Sequence, residues 1–245
     1  ANKNNLKLLQ ELEKVISQLD ISHAHQLALT ETDLNSVRGL QMAKDAAKSL
    51  QTAMNVDIDP ALLRLSAVQD QRKRFDKWKA KFSNTISRYL NNLFIHLGND
   101  LGETSHRDEL KLPKHNHHRE LLAYLELMHW MKMMDTHAYE ALSKVYTSSL
   151  SKVYERDIRN FFDQAKWIVN RNHASDEANT SVSSKSKVPQ VKVPVYGILG
   201  IPKDQWSAAI IDASERQRFD GVLEKVLTEL EPVALSEQMF CINFF

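Results

Sequence analysis

Apolar residues recur at steps of three and four through most of this chain, the spacing that lines one face of an α-helix. Leu6, Leu9, Leu12, Ile16 and Leu19 form the first stripe and predict a helix over about 3–19. A polar stretch, 20–33, follows. Asn35 or Ser36 supplies an N-cap for a helix to about Asn55, with Val37, Leu40, Ala43, Ala47, Leu50 and Met54 inward. Asp57-Ile58-Asp59-Pro60 is a helix-start signal, Asp59 as N-cap and Pro60 in the first turn. Val68, Phe75, Trp78, Phe82, Ile86, Tyr89, Leu93 and Leu97 then hold the rhythm, with no Gly or Pro between Ala61 and Leu97. The predicted helix, 60–98, would be roughly 55 Å long. That suits a coiled coil, a helical repeat or a rod better than a compact enzyme.

Gly98-Asn99-Asp100 ends this helix, and a loop is expected to about Asn116. A helix over 119–134 buries Leu122, Leu125, Met128 and Met131. Asp135 or Thr136 caps the next, which runs to about Asn172 along Tyr139, Leu142, Tyr146, Val153, Ile158, Phe161, Phe162, Ala165 and Ile168. The Ser/Asn/Lys-rich run that follows predicts a disordered insertion at about 174–190. Pro189, Pro194 and Pro202 keep the next stretch extended, an edge strand at most. Ser214 with Gln217 resembles a capping box. It opens a helix along Phe219, Val222, Val226 and Leu230, which Pro232 should break or kink before a further helix from about Ala234. An uncapped first helix and an apolar Phe244-Phe245 end read as cuts in a longer chain. The expected fold is all-α: an elongated stack of antiparallel helical bundles with one very long helix. Residues 1–112 would form a first helical segment and 113–245 a second bundle carrying the insertion.

Composition narrows the function classes. Six Gly and six Pro in 245 residues leave an all-β fold short of turns. The single cysteine, Cys241, excludes an internal disulfide framework and a cysteine-based zinc site. Cys241 reads as a small buried hydrophobe between Phe240 and Phe244. There is no nucleophile elbow, no phosphate-binding glycine loop and no H-E-x-x-H, so no catalytic residue, metal or cofactor is expected. His106, His115, His117 and His118 read as a solvated polar loop.

Charge carries the most pointed local signal. The net charge is +1, yet residues 60–97 hold Arg64, Arg72, Lys73, Arg74, Lys77, Lys79, Lys81 and Arg88 against only Asp70 and Asp76. The candidate site is a basic face of Arg72, Lys73, Lys77 and Lys81 for an acidic partner or an anionic membrane. The competing reading is an ordinary solvated helix face. Phe75, Trp78 and Phe82 fit the buried stripe and not a base-stacking platform, so no nucleic-acid partner is expected.

Three stretches carry a resemblance: DPALLRLSAVQDQRKRFDKWKAKFSNTISRYLNNLFIHLGND (59–100), LSKVYERDIRNFFDQAK (150–166) and RFDGVLEKVLTELEPVALSEQMFCINFF (218–245). Together they resemble the exocyst component 1 family of vesicle-tethering subunits, over about two thirds of the chain. The resemblance implies a helical rod of the multisubunit tethering-complex type. It also implies a role in holding secretory vesicles at the plasma membrane before fusion, with other exocyst subunits as partners. Localisation would be cytoplasmic, peripheral at the plasma membrane and on vesicles. The family's module for phosphatidylinositol bisphosphate and Rho-type GTPases has no counterpart in these residues. A free-standing helical adaptor acting through its basic face is the alternative.

Overall fold

The computed structural model describes residues 2–99, 110–113, 116–180 and 213–245. Every regular element among these residues is helical. The α-helices are α1 (Asn2–Leu19), α2 (His23–Thr30), α3 (Val37–Met54), α4 (Ser66–Asn99), α5 (His117–Leu122), α6 (Leu125–Met134), α7 (Thr136–Thr180) and α8 (Ala213–Phe244). A single 3-10 turn, Leu62–Arg64, precedes α4. The all-α expectation is met. The edge strand expected among residues 188–202 lies outside the described residues.

Several boundaries depart from the pattern reading. The polar stretch 20–33 contains α2: the Ser22 side chain caps it at the His25 N–H, 3.3 Å away, and Ala28 and Leu29 are buried. Asp59 does cap a turn, accepting from the Ala61 N–H at 2.8 Å. But Leu65 is extended, so the long helix begins at Ser66 and not Pro60. The 119–134 segment is two helices parted at Ala123 and Tyr124. Helix α7 continues through 174–180, where the insertion was expected to begin; residues 181–190 lie outside the described ones. Pro232 sits inside a continuous α8. A proline there removes one backbone hydrogen bond. The carbonyl that loses its partner belongs to Thr228, an exposed residue.

The chain divides into two compact units. The first comprises Ala1–Gly102, His115–Glu155 and Glu237–Phe245. Helix α4 lines its core with Val68, Phe75, Phe82, Ile86, Leu90 and Phe94, a run of 7, 7, 4, 4 and 4 that keeps one face inward. Phe82 meets Trp130 edge to face at 5.1 Å, and Phe94 meets Tyr146 at 5.4 Å. Such pairs add to area burial, itself worth about 1.5–3 kcal/mol per large apolar side chain. Polar clips fix the registers. Ser83 donates to Asp135 Oδ2 at 2.5 Å, while Asp135 Oδ1 accepts from the Ala138 N–H and caps α7. The Tyr89 and Tyr124 hydroxyls lie 2.7 Å apart, and Tyr124 donates to the Leu34 carbonyl. Lys44 and Lys48 of α3 both reach Glu126 of α6.

The second unit comprises Glu103–Lys114 and Arg156–Ser236. Its core is Leu110, Leu112, Phe161, Ala165 and Val226, flanked by Ile158, Ile168, Val222, Leu230 and Val233. Thus the stripes expected on α7 and α8 are largely inward here, except Phe162 and Phe219, which are exposed.

Candidate interaction surfaces

Three features stand out: a basic face on α4, an apolar face on α1, and a polar cluster around Glu237. On α4, Arg72, Lys73, Lys77 and Lys81 are all exposed. Rotation at 100° per residue places Lys73, Lys77 and Lys81 on one side with Arg74 and Arg88, within roughly 100° of arc. That side lies opposite the core positions Phe75, Phe82 and Ile86. Arg72 is turned about 100° from Lys73, off this stripe. The Asp70 carboxylate interrupts it, 3.4 Å from Lys73 Nζ.

The apolar stripe expected on α1 is divided between core and solvent. Val15 and Leu19 enter the core, while Leu6, Leu9 and Ile16 are 58%, 54% and 67% exposed. Leu12 is half-buried. Leu9, Leu12, Ile16 and Leu19 step by 3, 4 and 3, the seam spacing of a coiled coil.

The polar cluster joins α5 to the end of α8. His117 and His118, expected in a solvated loop, lie on α5, His117 buried and His118 largely so. His106 and His115 lie outside the described residues. Glu237 Oε2 is 2.7 Å from His118 Nε2 and 3.8 Å from His117 Nε2. The Tyr154 hydroxyl donates to the same oxygen and lies 3.1 Å from His117 Nε2. Oε1 accepts from the Tyr146 hydroxyl at 2.7 Å and from the Cys241 thiol at 3.3 Å. Burial alone would raise the Glu237 carboxyl, but the two imidazoles and two phenols outweigh it and hold it far below the usual carboxylate range. Burial and the adjacent carboxylate push the Cys241 thiol up to about 12. Burial first, then Glu237, raises the Tyr146 hydroxyl as well. Cys241 is half-buried and bonded to the Glu237 carboxylate, a polar neighbour that its reading as a small buried hydrophobe between Phe240 and Phe244 did not include. The cluster was invisible to motif reading because Glu237 lies 119 residues from His118.

Comparison with known proteins bears on these faces. Residues 1–56 match the family described as "Exocyst complex component Sec3, coiled-coil", a span that holds α1 through α3. Over the whole chain, Exocyst complex component 1 of Drosophila melanogaster is 57% identical and that of Mus musculus 35% identical. The chain spans 28% and 31% of those relatives' lengths. Exocyst complex component 1 of Dictyostelium discoideum is 29% identical over 66% of this chain. No solved structure matches. Likeness that runs along the entire chain, through both units and not the coiled-coil span alone, is what a shared fold requires: the chain belongs to the exocyst complex component 1 family.

Proposed function

We propose that this segment is a structural, non-catalytic part of a vesicle tether, holding secretory vesicles at the plasma membrane through assembly with other exocyst subunits. The observation that carries this reading is the outward apolar face of α1. Leu9 and Ile16, one heptad apart on the seam, expose large aliphatic area with Leu6 beside them, and such area is stable in water when a partner helix covers it. Long helices suit a tether, which must bridge distance, and α4 alone spans roughly 50 Å at 1.5 Å per residue. No helix among the described residues is long and apolar enough to cross a membrane, so membrane attachment would be peripheral. Lipid-headgroup and Rho-type GTPase recognition belong to other parts of the full-length protein.

The test is capture of the other subunits from cell lysate by the chain and by its Leu9→Asp/Ile16→Asp variant. The wild type should retain exocyst subunits and the variant should lose them with unchanged helicity, because neither side chain is buried. Equal capture by both refutes the assignment of this face.

A second reading rests on the stripe Lys73, Arg74, Lys77, Lys81 and Arg88. Facing away from the core, it suits an anionic membrane surface or an acidic partner, each exposed cation adding about 1 kcal/mol near an anionic bilayer. The Lys73→Glu/Lys77→Glu/Lys81→Glu variant should lose sedimentation with phosphatidylserine vesicles at low salt. Unchanged sedimentation and unchanged subunit capture reduce the stripe to a solvated face.

A further inference from the structure

We propose that His117, His118 and Glu237 form a binding site for a divalent transition metal, zinc being the ion that fits. Two imidazole nitrogens and one carboxylate oxygen, all within 4.8 Å of one another, converge from elements far apart in sequence. Two histidines and a glutamate, with a fourth position open, are a known zinc donor set. An ion at about 2.0–2.1 Å from each donor in tetrahedral geometry sets the donors about 3.3–3.4 Å apart. The separations from Glu237 Oε2, 2.7 Å to His118 and 3.8 Å to His117, bracket that value. The longer one exceeds hydrogen-bond reach, yet His117 Nε2 still faces the same oxygen.

The surroundings hold the donors in place. Tyr146 and Cys241 donate to Oε1 and so fix the carboxylate with Oε2 toward the imidazoles, the kind of outer support that metal ligands need. His118 is stacked on Phe240, 4.4 Å between centroids and 9° between planes. His117 sits edge-on to His118 at 4.3 Å. The Tyr154 hydroxyl borders the donors, 3.1 Å from His117 Nε2 and donating to Glu237 Oε2. Coordination requires both imidazoles neutral with the Nε2 lone pair free. A proton on Nε2 therefore moves to Nδ1 or leaves to solvent, and the Tyr154 and Tyr146 phenols keep theirs. An ion here would clamp α5 to the end of α8.

The test uses the 245-residue chain stripped with EDTA. Zinc chloride is titrated calorimetrically, and cobalt(II) chloride is followed by visible absorption. One equivalent should bind, with zinc raising Tm by several degrees. His118→Ala should abolish both signals, while His137→Ala, an exposed histidine of α7 outside the cluster, should keep them. Absence of saturable one-to-one binding, or equal binding by His118→Ala, overturns the site. Should His118→Ala fail to fold by circular dichroism, X-ray absorption of the zinc-loaded wild type decides. Two imidazole nitrogens with oxygen ligands uphold the proposal; any other shell refutes it.

Discussion

Gly39 offers a test in which intrinsic preference and packing have opposite signs. It lies in the first turn of α3, where its N–H donates to the capping Ser36 hydroxyl at 3.0 Å. Alanine is favoured over glycine in a helix by about 1 kcal/mol, so propensity alone says that Gly39→Ala stabilises. The packing says otherwise. A Cβ at this position would stand 2.0 Å from the Asp33 carbonyl oxygen and 2.7 Å from Ser36 Oγ. Ordinary contact begins at 3.4 Å, and the nearest atom is backbone, which no rotamer change can remove. The α2–α3 connection must therefore retreat, and the Ser36 cap moves with it. Overpacking costs about 1–3 kcal/mol and a disturbed cap about 1 kcal/mol. Set against the propensity gain, the net effect is a destabilisation of about 1–3 kcal/mol. Gly221 is the control: in α8 nothing lies within 4 Å of its added Cβ, so Gly221→Ala should stabilise by up to about 1 kcal/mol. Two units can unfold in separate transitions, so urea melts should be joined to hydrogen exchange read on peptides of α3 and α8. A Gly39→Ala chain as stable as the wild type, or more so, refutes the close approach of Asp33.

Other outcomes follow from the same contacts. Phe82→Ala should cost about 3–5 kcal/mol in urea unfolding, because Phe82 is fully buried against Trp130. Trp78→Ala, removing a half-buried ring beside Phe75, should cost about 1–2 kcal/mol; the reverse order would mean that α4 is turned the other way. The Lys48 hydrogen bond outweighs burial and, with Lys44, lowers the Glu126 carboxyl. Its stabilising share is present above the unfolded value and lost as pH falls through the folded one. Glu126→Gln should thus lower Tm slightly at neutral pH and not at all in acid, with the difference shrinking in high salt. A Cys241 thiol pushed up to about 12 should react with a disulfide reagent at pH 8 on the order of 100-fold more slowly in the native chain than in urea. Equal rates would remove Glu237 from its side.

Where period and burial coincide, the pattern was readable. Helices α3 and α4 and most of their inward residues follow from spacing, because α3 has an isolated cap in Ser36 and α4 a long uninterrupted run; Val37, expected inward, is instead 88% exposed in the first turn of α3. Rotational phase was not readable for α1. A stripe that enters its own core and one that waits for a partner have the same spacing. Only the depth of Val15 and Leu19 shows that Leu6, Leu9 and Ile16 face outward. Helix α2 was hidden by length: eight residues carry too few apolar steps for a periodicity, and packing of Ala28 and Leu29 stabilises it. Of the basic positions, Lys73, Lys77 and Lys81 were legible as one face. Arg72 was separable from them by the same geometry, since neighbours on a helix are turned by about 100°, and grouping it with Lys73 by adjacency overlooked that turn. The Glu237 cluster depends on a tertiary meeting that no local spacing encodes.

The division into units also bears on synthesis. The second unit lies, for the most part, between two portions of the first: Glu155 ends one and Glu237 opens the other. A ribosome adding about 5–20 residues per second needs roughly 4–16 s to cross those intervening positions. For that interval the first unit exists without Phe240 and Phe244, which in the finished chain are buried against His118, Tyr146 and Phe94. Helix pairs assemble in milliseconds or less, so the nascent chain reaches a nearly complete core and then waits with an apolar slot open. A stall or truncation in the 156–236 stretch would leave the first unit without Phe240 and Phe244.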